Sequence, residues 1–247
     1  MKTIAILPAA GLSTRMGSTT AGLERKQFLE LHGVPVFLHT LRQFDACREI
    51  QAIYLALRIE DQTRVRECLA QTRLRLPVQI VEGGETRQDT VWTALQQAPR
   101  DTELVAVHDA VRPLVDADLI RRALAAAERL GAVIAAVAAV DTVKQVERAG
   151  AAENEARIVT TLPRERIVLA QTPQVFRYEL LRRAFEKAAS DGFHGTDESS
   201  LIEHLGEPVY AIPGSARNLK ITTPADLALA ERLTEQAEPA TTTTSKF

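Results

Sequence analysis

Cysteine is nearly missing from these 247 residues: Cys47 and Cys68 are the only two, and neither belongs to a C-x-x-C. That excludes a disulfide framework and a thiolate metal centre, and leaves both as small hydrophobes on helical segments. Long apolar runs are missing too. The longest, Leu130 to Val140, is about half of what a membrane-spanning helix requires and suits an interior strand. No positively charged, apolar and cleavage regions follow one another at the N-terminus, so no secretory signal is visible and a cytoplasmic location is expected. Charge of one sign is lacking as well. A formal net charge of -2 excludes a protein built to coat nucleic acid, so any anion site must be local. Finally, no Lys-Ser or Lys-Thr follows a glycine at Walker spacing, and G-x-G-x-x-G is absent, which removes the two commonest nucleotide fingerprints.

What is present is an alternation of short apolar runs with amphipathic segments. This is the pattern of an α/β fold, a Rossmann-like, mostly parallel sheet with helices on both faces. The strands read as Thr3 to Leu7, Ala52 to Leu57, Val78 to Val81, Leu104 to Val107, Val133 to Ala139 and Val209 to Ile212. Pro35 opens a helix with an inward stripe of Val36, Phe37, Thr40, Leu41 and Phe44. A second helix is bounded at both ends, by Asp116 as N-cap and Gly131 as the stop, and Thr223-Pro224 begins a third. Residues 1–234 are expected to form one domain. The segment 141–171 breaks the alternation with β-leaning pieces Thr142 to Val146, Arg157 to Thr161 and Ile167 to Gln171 around a polar turn. It reads as a projecting β-arm, and an isolated hairpin is marginal in water, so a partner surface in a symmetric dimer is expected. The tail 235–247, with four consecutive threonines, is expected to be disordered.

The chemistry concentrates at strand ends, where open α/β sheets bind ligands. After the first strand come Ala9-Ala10-Gly11 and then Arg15-Met16-Gly17, with Arg25-Lys26-Gln27-Phe28 shortly beyond. Small residues let a backbone approach phosphate closely, and Arg15 with Lys26 supplies the charge, so the stretch reads as a triphosphate grip. Glu82-Gly83-Gly84-Glu85-Thr86-Arg87 joins a strand to a helix and exposes backbone that could read a base edge; taken alone it is equally a glycine turn with an N-cap. Arg87 and Thr90 fall on the first helical turn. In His108-Asp109-Ala110-Val111-Arg112, Asp109 ends a strand where Mg²⁺ is commonly held beside phosphates, and Arg112 could grip a further oxyanion. A structural Asp109–Arg112 pair is the alternative, and His108 stays open between core histidine and ligand. Lys220 stands in an apolar, strand-like stretch where its ammonium calls for an anion.

Taken in order, Ala9-Ala10-Gly11 with Arg15-Met16-Gly17, Lys26-Gln27-Phe28, Gly83-Gly84, His108 to Pro113, Asp141-Thr142-Val143-Lys144, Gln171-Thr172-Pro173-Gln174, Thr196-Asp197-Glu198 and Asn218-Leu219-Lys220 resemble the 2-C-methyl-D-erythritol 4-phosphate cytidylyltransferases. The resemblance spans nearly the whole chain except Ser18 to Glu24 and the tail. It implies a nucleotidyltransferase of the non-mevalonate isoprenoid route, with CTP as co-substrate, Mg²⁺ as divalent cation, a small polyol phosphate as acceptor, and a homodimer with exchanged β-arms. It further implies that Arg15 and Lys26 stabilise the transition state, and that Arg164 and Lys220 position the substrate phosphate. Ala9, Ala10, Gly11, Gly84, Glu85 and Thr90 would line the cytidine site. Asp109, Arg112, Thr142 and Thr196 would surround the sugar phosphate, with Thr142 and Arg164 coming from the partner's arm. The acceptor is a phosphate monoester, largely dianionic at neutral pH, so no side chain has to be activated as a nucleophile. Two departures stand out. Arg25 replaces the proline that commonly precedes the Lys-Gln pair in the family, which lets Arg25 share the phosphate role. Val111 stands where Ala is more usual and is similar to the sister family that makes CDP-ribitol from ribitol 5-phosphate, the alternative reading. A nucleotide-binding regulator that has lost catalysis is a third, opposed by the presence of all four cations.

Overall fold

The computed structural model describes residues 1–11, 25–148 and 155–235. Arg15 of the proposed grip, the polar turn of the arm and the threonine-rich tail lie outside the described residues.

The strands are β1 (Thr3–Pro8), β2 (Glu30–Leu31), β3 (Val34–Pro35), β4 (Ala52–Leu57), β5 (Val78–Glu82), β6 (Leu104–Val107), β7 (Ala132–Ala138), β8 (Val143–Arg148), β9 (Ala156–Leu162), β10 (Val168–Arg177) and β11 (Tyr210–Pro213). The helices are α1 (Val36–Asp45), α2 (Gln62–Ala70), α3 (Arg87–Gln96), α4 (Ala117–Leu130), α5 (Tyr178–Asp191), α6 (Glu198–His204) and α7 (Pro224–Glu235). Seven strands form the main sheet in the order β11-β7-β10-β6-β1-β4-β5. All run parallel except β10, which is antiparallel to both of its neighbours.

Alternation along the strands divides the core between the two faces. In β1, Ala5 and Leu7 pack with α1, α2 and α4, whereas Ile4 and Ile6 pack with α3, α5 and α6. A strand buried on both faces needs the near-continuous apolar run that marks β1, β4 and β6 in the sequence. A third, smaller cluster joins Leu31, Val36, Ile221 and Ala230 and fastens α7 beside the strand ends. Helix α4 has the expected boundaries: the Asp116 carboxylate accepts the Leu119 amide at 2.7 Å, and Gly131 closes the helix at φ +88°, a conformation costly for any side chain. Among the described residues no helix is long and apolar enough to cross a membrane.

One expectation changes. Ile167 to Gln171 was expected in the arm, but Val168 to Arg177 form a single strand between β6 and β7 in the main sheet. Pro173 argues against a central strand because it cannot donate to the ladder. The sheet accommodates it by a register shift between Gln171 and Gln174, next to the cis Thr172–Pro173 peptide. The arm is therefore the β8–β9 hairpin, paired from Val143↔Leu162 to Arg148↔Ala156. Its surface leaves Val146, Ile158 and Val159 more than half exposed, and Leu169 at its base likewise.

Candidate functional site

The loops that follow β1, β5, β6 and β11 meet at the carboxyl edge of the parallel strands and enclose a cleft of about 200 Å³. Ala9, Ala10, Gly11, Lys26, Gly84, Glu85, Arg87, Thr90, Asp109 and Lys220 all contribute to its lining. Residues separated by two hundred positions in sequence therefore share one wall, as the phosphate-grip reading requires.

Lys26 is held by its neighbours in sequence. It opens a short 3-10 turn, Lys26–Phe28, in which Gln27 and Phe28 are buried. The Gln27 amide donates to the Ala9 carbonyl at 2.6 Å, which ties this turn to the loop after β1, and the Phe28 ring meets Phe37 edge-on at 5.8 Å. On the other side Arg25 pairs with Asp61 and, at 2.6 Å, with Glu60. Arg25 is thus committed to carboxylates beyond β4 and does not take the phosphate role the sequence left open to it. Three anchors around one lysine hold it in the wall of the cleft.

The paired glycines have a steric cause. A Cβ on Gly83 would stand 2.4 Å from the Ala10 side chain, and one on Gly84 would stand 2.3 Å from that of Asp89. Only glycine lets the β5–α3 loop close against the loop after β1. Helix α3 then starts with a reciprocal cap between Thr86 and Asp89. The Thr90 hydroxyl donates to the Thr86 carbonyl at 2.8 Å and accepts the Gly84 amide at 3.1 Å, so Thr90 shapes this loop from beneath.

Asp109 is the electrostatic centre. Its Oδ1 accepts Arg87 Nε at 3.1 Å, its Oδ2 meets Lys220 Nζ at 2.9 Å, and Arg112 Nε lies 3.6 Å from Oδ2. Burial alone would raise the pKa of this carboxyl, but the attraction of Arg87, Lys220 and Arg112 outweighs it and holds Asp109 well below the usual carboxylate range. Arg87 also donates to both oxygens of Glu198, at 2.7 and 2.9 Å. Burial works against the Arg87 charge, yet Glu198 and Asp109 overcome it and raise its pKa. Glu198 was part of a recognised motif but carried no role in the sequence reading. The available signal was a positive side chain on the first turn of α3, where the helix dipole disfavours it.

Lys220 is delivered by a pinned loop. The buried Asn218 side-chain amide donates to the Thr172 carbonyl at 2.7 Å, the Asn218 backbone carbonyl accepts Arg112 Nη1 at 2.7 Å, and the Ile221 backbone amide donates to the Val111 carbonyl at 2.9 Å. Arg112 is therefore a brace for this loop as well as a partner of Asp109, which matches the structural alternative. His108 resolves as a core histidine: fully buried, beside Phe44, with its pKa pushed down to about 3 mainly by that burial, so the ring stays neutral.

A divalent ion at Asp109 does not fit this arrangement. Magnesium takes carboxylate oxygen together with phosphates and water in an octahedral shell, and both Asp109 oxygens already face cations. Among the described residues no group of three or more acidic, histidine or cysteine side chains could hold a metal. Arg164, Thr142 and Thr196 are exposed and do not line the cleft. Arg164 instead donates to the Val140 carbonyl at 2.7 Å at the foot of the arm.

A family model for 2-C-methyl-D-erythritol 4-phosphate cytidylyltransferase matches residues 3–236. The chain is 51% identical over 233 residues to a 2-C-methyl-D-erythritol 4-phosphate cytidylyltransferase of Solibacter usitatus, covering 93% of this chain and 94% of that protein. A protein of the same name from Acidobacterium capsulatum is also 51% identical over 233 residues, with 93% and 96% covered. Among solved structures, the 4-diphosphocytidyl-2C-methyl-D-erythritol synthase of Anaerococcus prevotii superposes with a TM-score of 0.81 at 28% identity, covering 95% of this chain and 96% of that one. The cytidylyltransferase of Thermus thermophilus gives 0.74 at 34% identity, covering 95% and 100%.

Proposed function

The chain belongs to the 2-C-methyl-D-erythritol 4-phosphate cytidylyltransferase family, and from that membership we infer that it joins CTP to 2-C-methyl-D-erythritol 4-phosphate, forming 4-diphosphocytidyl-2-C-methyl-D-erythritol and releasing pyrophosphate. The observation that carries the reading to this chain's own residues is the shared cleft, where Lys26 and Lys220 reach the wall formed by the loops after β1 and β5. The family match favours the methylerythritol acceptor over the ribitol alternative.

In this reading residues 1–234 act as one nucleotidyltransferase unit. The cytidine rests against Ala9, Ala10, Gly84 and Glu85, and Gly11 leads into the segment that carries Arg15. An oxygen of the acceptor phosphate attacks the α-phosphorus of CTP, the α–β bridging bond breaks, and the electron pair leaves on pyrophosphate. Negative charge grows on the non-bridging oxygens and the leaving group, and the charges of Lys26 and Arg15 answer it. Lys220 orients the acceptor phosphate. Magnesium belongs to this reading as a companion of the triphosphate and not as a ligand of Asp109.

The homodimer is part of the same proposal. Arg164, Thr142 and Thr196 lie away from their own cleft, and the arm shows apolar side chains to its surroundings. Exchange of arms would cover that surface and bring Arg164 and Thr142 to the neighbouring site, as the family resemblance implies.

The test is pyrophosphate release with CTP and Mg²⁺ across a panel of polyol phosphates at equal concentration. Turnover should be highest with 2-C-methyl-D-erythritol 4-phosphate. Faster release with ribitol 5-phosphate would reassign the acceptor, and no release with any polyol phosphate would reduce the protein to a nucleotide binder.

A further inference from the structure

The half-buried Arg87, in the cleft wall, pairs with the buried Glu198 behind it, and the proposed reaction gives neither a direct role. Glu198 is 1% exposed at the start of α6 and, among the described residues, is engaged by a single guanidinium, that of Arg87 at the start of α3. Burying such a pair brings little net stability against an apolar replacement. An arginine on a first helical turn also opposes the helix dipole. Rules broken locally mark a functional demand, and the demand here lies at the other end of the guanidinium, on Asp109 Oδ1.

Asp109 has three cationic neighbours that differ in access. The Lys220 side chain is 40% exposed, against 29% for Arg87 and 11% for Arg112. Lys220 is the neighbour best placed to leave Asp109 for a phosphate entering the cleft. Its departure would strand a buried carboxylate if it were the sole partner, at a cost large enough to hold the lysine back. With Arg87 still on Oδ1 and Arg112 close to Oδ2, Asp109 remains compensated after Lys220 has gone.

We infer that Glu198 is a positioning residue: by fixing Arg87 on Asp109 it makes the Lys220 ammonium transferable from Asp109 to the phosphate of the acceptor. The inference rests on the reading of Lys220 as the acceptor-phosphate grip. Glu198 touches no substrate and acts through Arg87 and Asp109. Its loss frees Arg87 from its anchor, Asp109 then clings to Lys220, and the acceptor phosphate competes less well.

Three variants of the full chain test this: Glu198→Gln, the double variant Arg87→Gln/Glu198→Gln, and Lys220→Met. For each, KM is measured separately for CTP and for 2-C-methyl-D-erythritol 4-phosphate, together with the urea unfolding midpoint. Glu198→Gln should raise KM for the polyol phosphate by about tenfold, a larger change than that for CTP. The double variant removes both charges of the pair and should recover most of the stability lost in Glu198→Gln, yet keep the high polyol-phosphate KM. It decides the matter alone if Glu198→Gln does not fold. A double variant with wild-type KM while Lys220→Met shows a raised one would overturn the inference and leave the Lys220 reading intact. An unchanged KM in Lys220→Met would overturn both.

Discussion

Replacing Lys26 by alanine should lower kcat by about a hundredfold or more, the scale of losing one preorganised group that faces developing transition-state charge. The fold should survive. The anchors that hold the turn are Arg25 on Glu60 and Asp61, Gln27 on the Ala9 carbonyl, and Phe28 against Phe37, and none of them involves the Lys26 side chain. Circular dichroism and the unfolding midpoint should therefore match the wild type. Arg25 cannot deputise, because its guanidinium is held by two carboxylates beyond β4. Charge on the α-phosphate and on pyrophosphate rises mainly in the transition state, so kcat should fall more than the KM for CTP rises. Turnover within tenfold of the wild type would remove Lys26 from the mechanism.

Mixing two inactive proteins should restore activity. If the arm supplies Arg164 to the neighbouring cleft, Lys26→Ala and Arg164→Ala each disable both sites of their own homodimers. In a heterodimer, one site combines Lys26→Ala with an altered partner arm and the other receives intact copies of both residues. Random reassortment makes about half of the dimers mixed, so about a quarter of wild-type activity should return after co-refolding or subunit exchange. The same mixture recovers nothing if Arg164 serves the cleft of its own chain, because every site then carries one defect. Exposed Val146, Ile158 and Val159 on the hairpin are the reason to expect exchange, since a lone two-stranded ribbon with an apolar surface needs a partner to stay ordered in water.

The sheet was largely legible in the sequence because strands buried on both faces advertise themselves: Ala52–Leu57 and Leu104–Val107 fall where the apolar runs place them. Helix α4 was legible for a different reason, since Asp116 and Gly131 have local conformational roles that need no tertiary context. Strand β10 was not. Pro173 and the polar Gln171, Thr172 and Gln174 contradict a central strand locally, and their polar groups find partners only through tertiary contacts, with Ser215 and Asn218, with the Asp109 amide, and with Asp197 and Ser199. Within the site, glycines and cations pointed to loops that line the cleft, while pair chemistry was invisible. Asp109 read as a metal ligand because a carboxylate at a strand end is all that a sequence displays, and the three cations around it come from α3, the following loop and the segment beyond β11. Arg112 read as an oxyanion grip for the same reason. Arg25, a departure from the family pattern, gains its meaning from Glu60 and Asp61, which are distant in sequence.

A crystal structure with CTP and 2-C-methyl-D-erythritol 4-phosphate, trapped with a non-hydrolysable linkage between the α- and β-phosphates, tests the account most directly. The triphosphate should lie against Ala9, Ala10 and Gly11 with the Lys26 ammonium on its oxygens, and the Lys220 ammonium should have left Asp109 for the acceptor phosphate. A nucleotide bound away from Lys26, or an acceptor phosphate out of reach of Lys220, would contradict it.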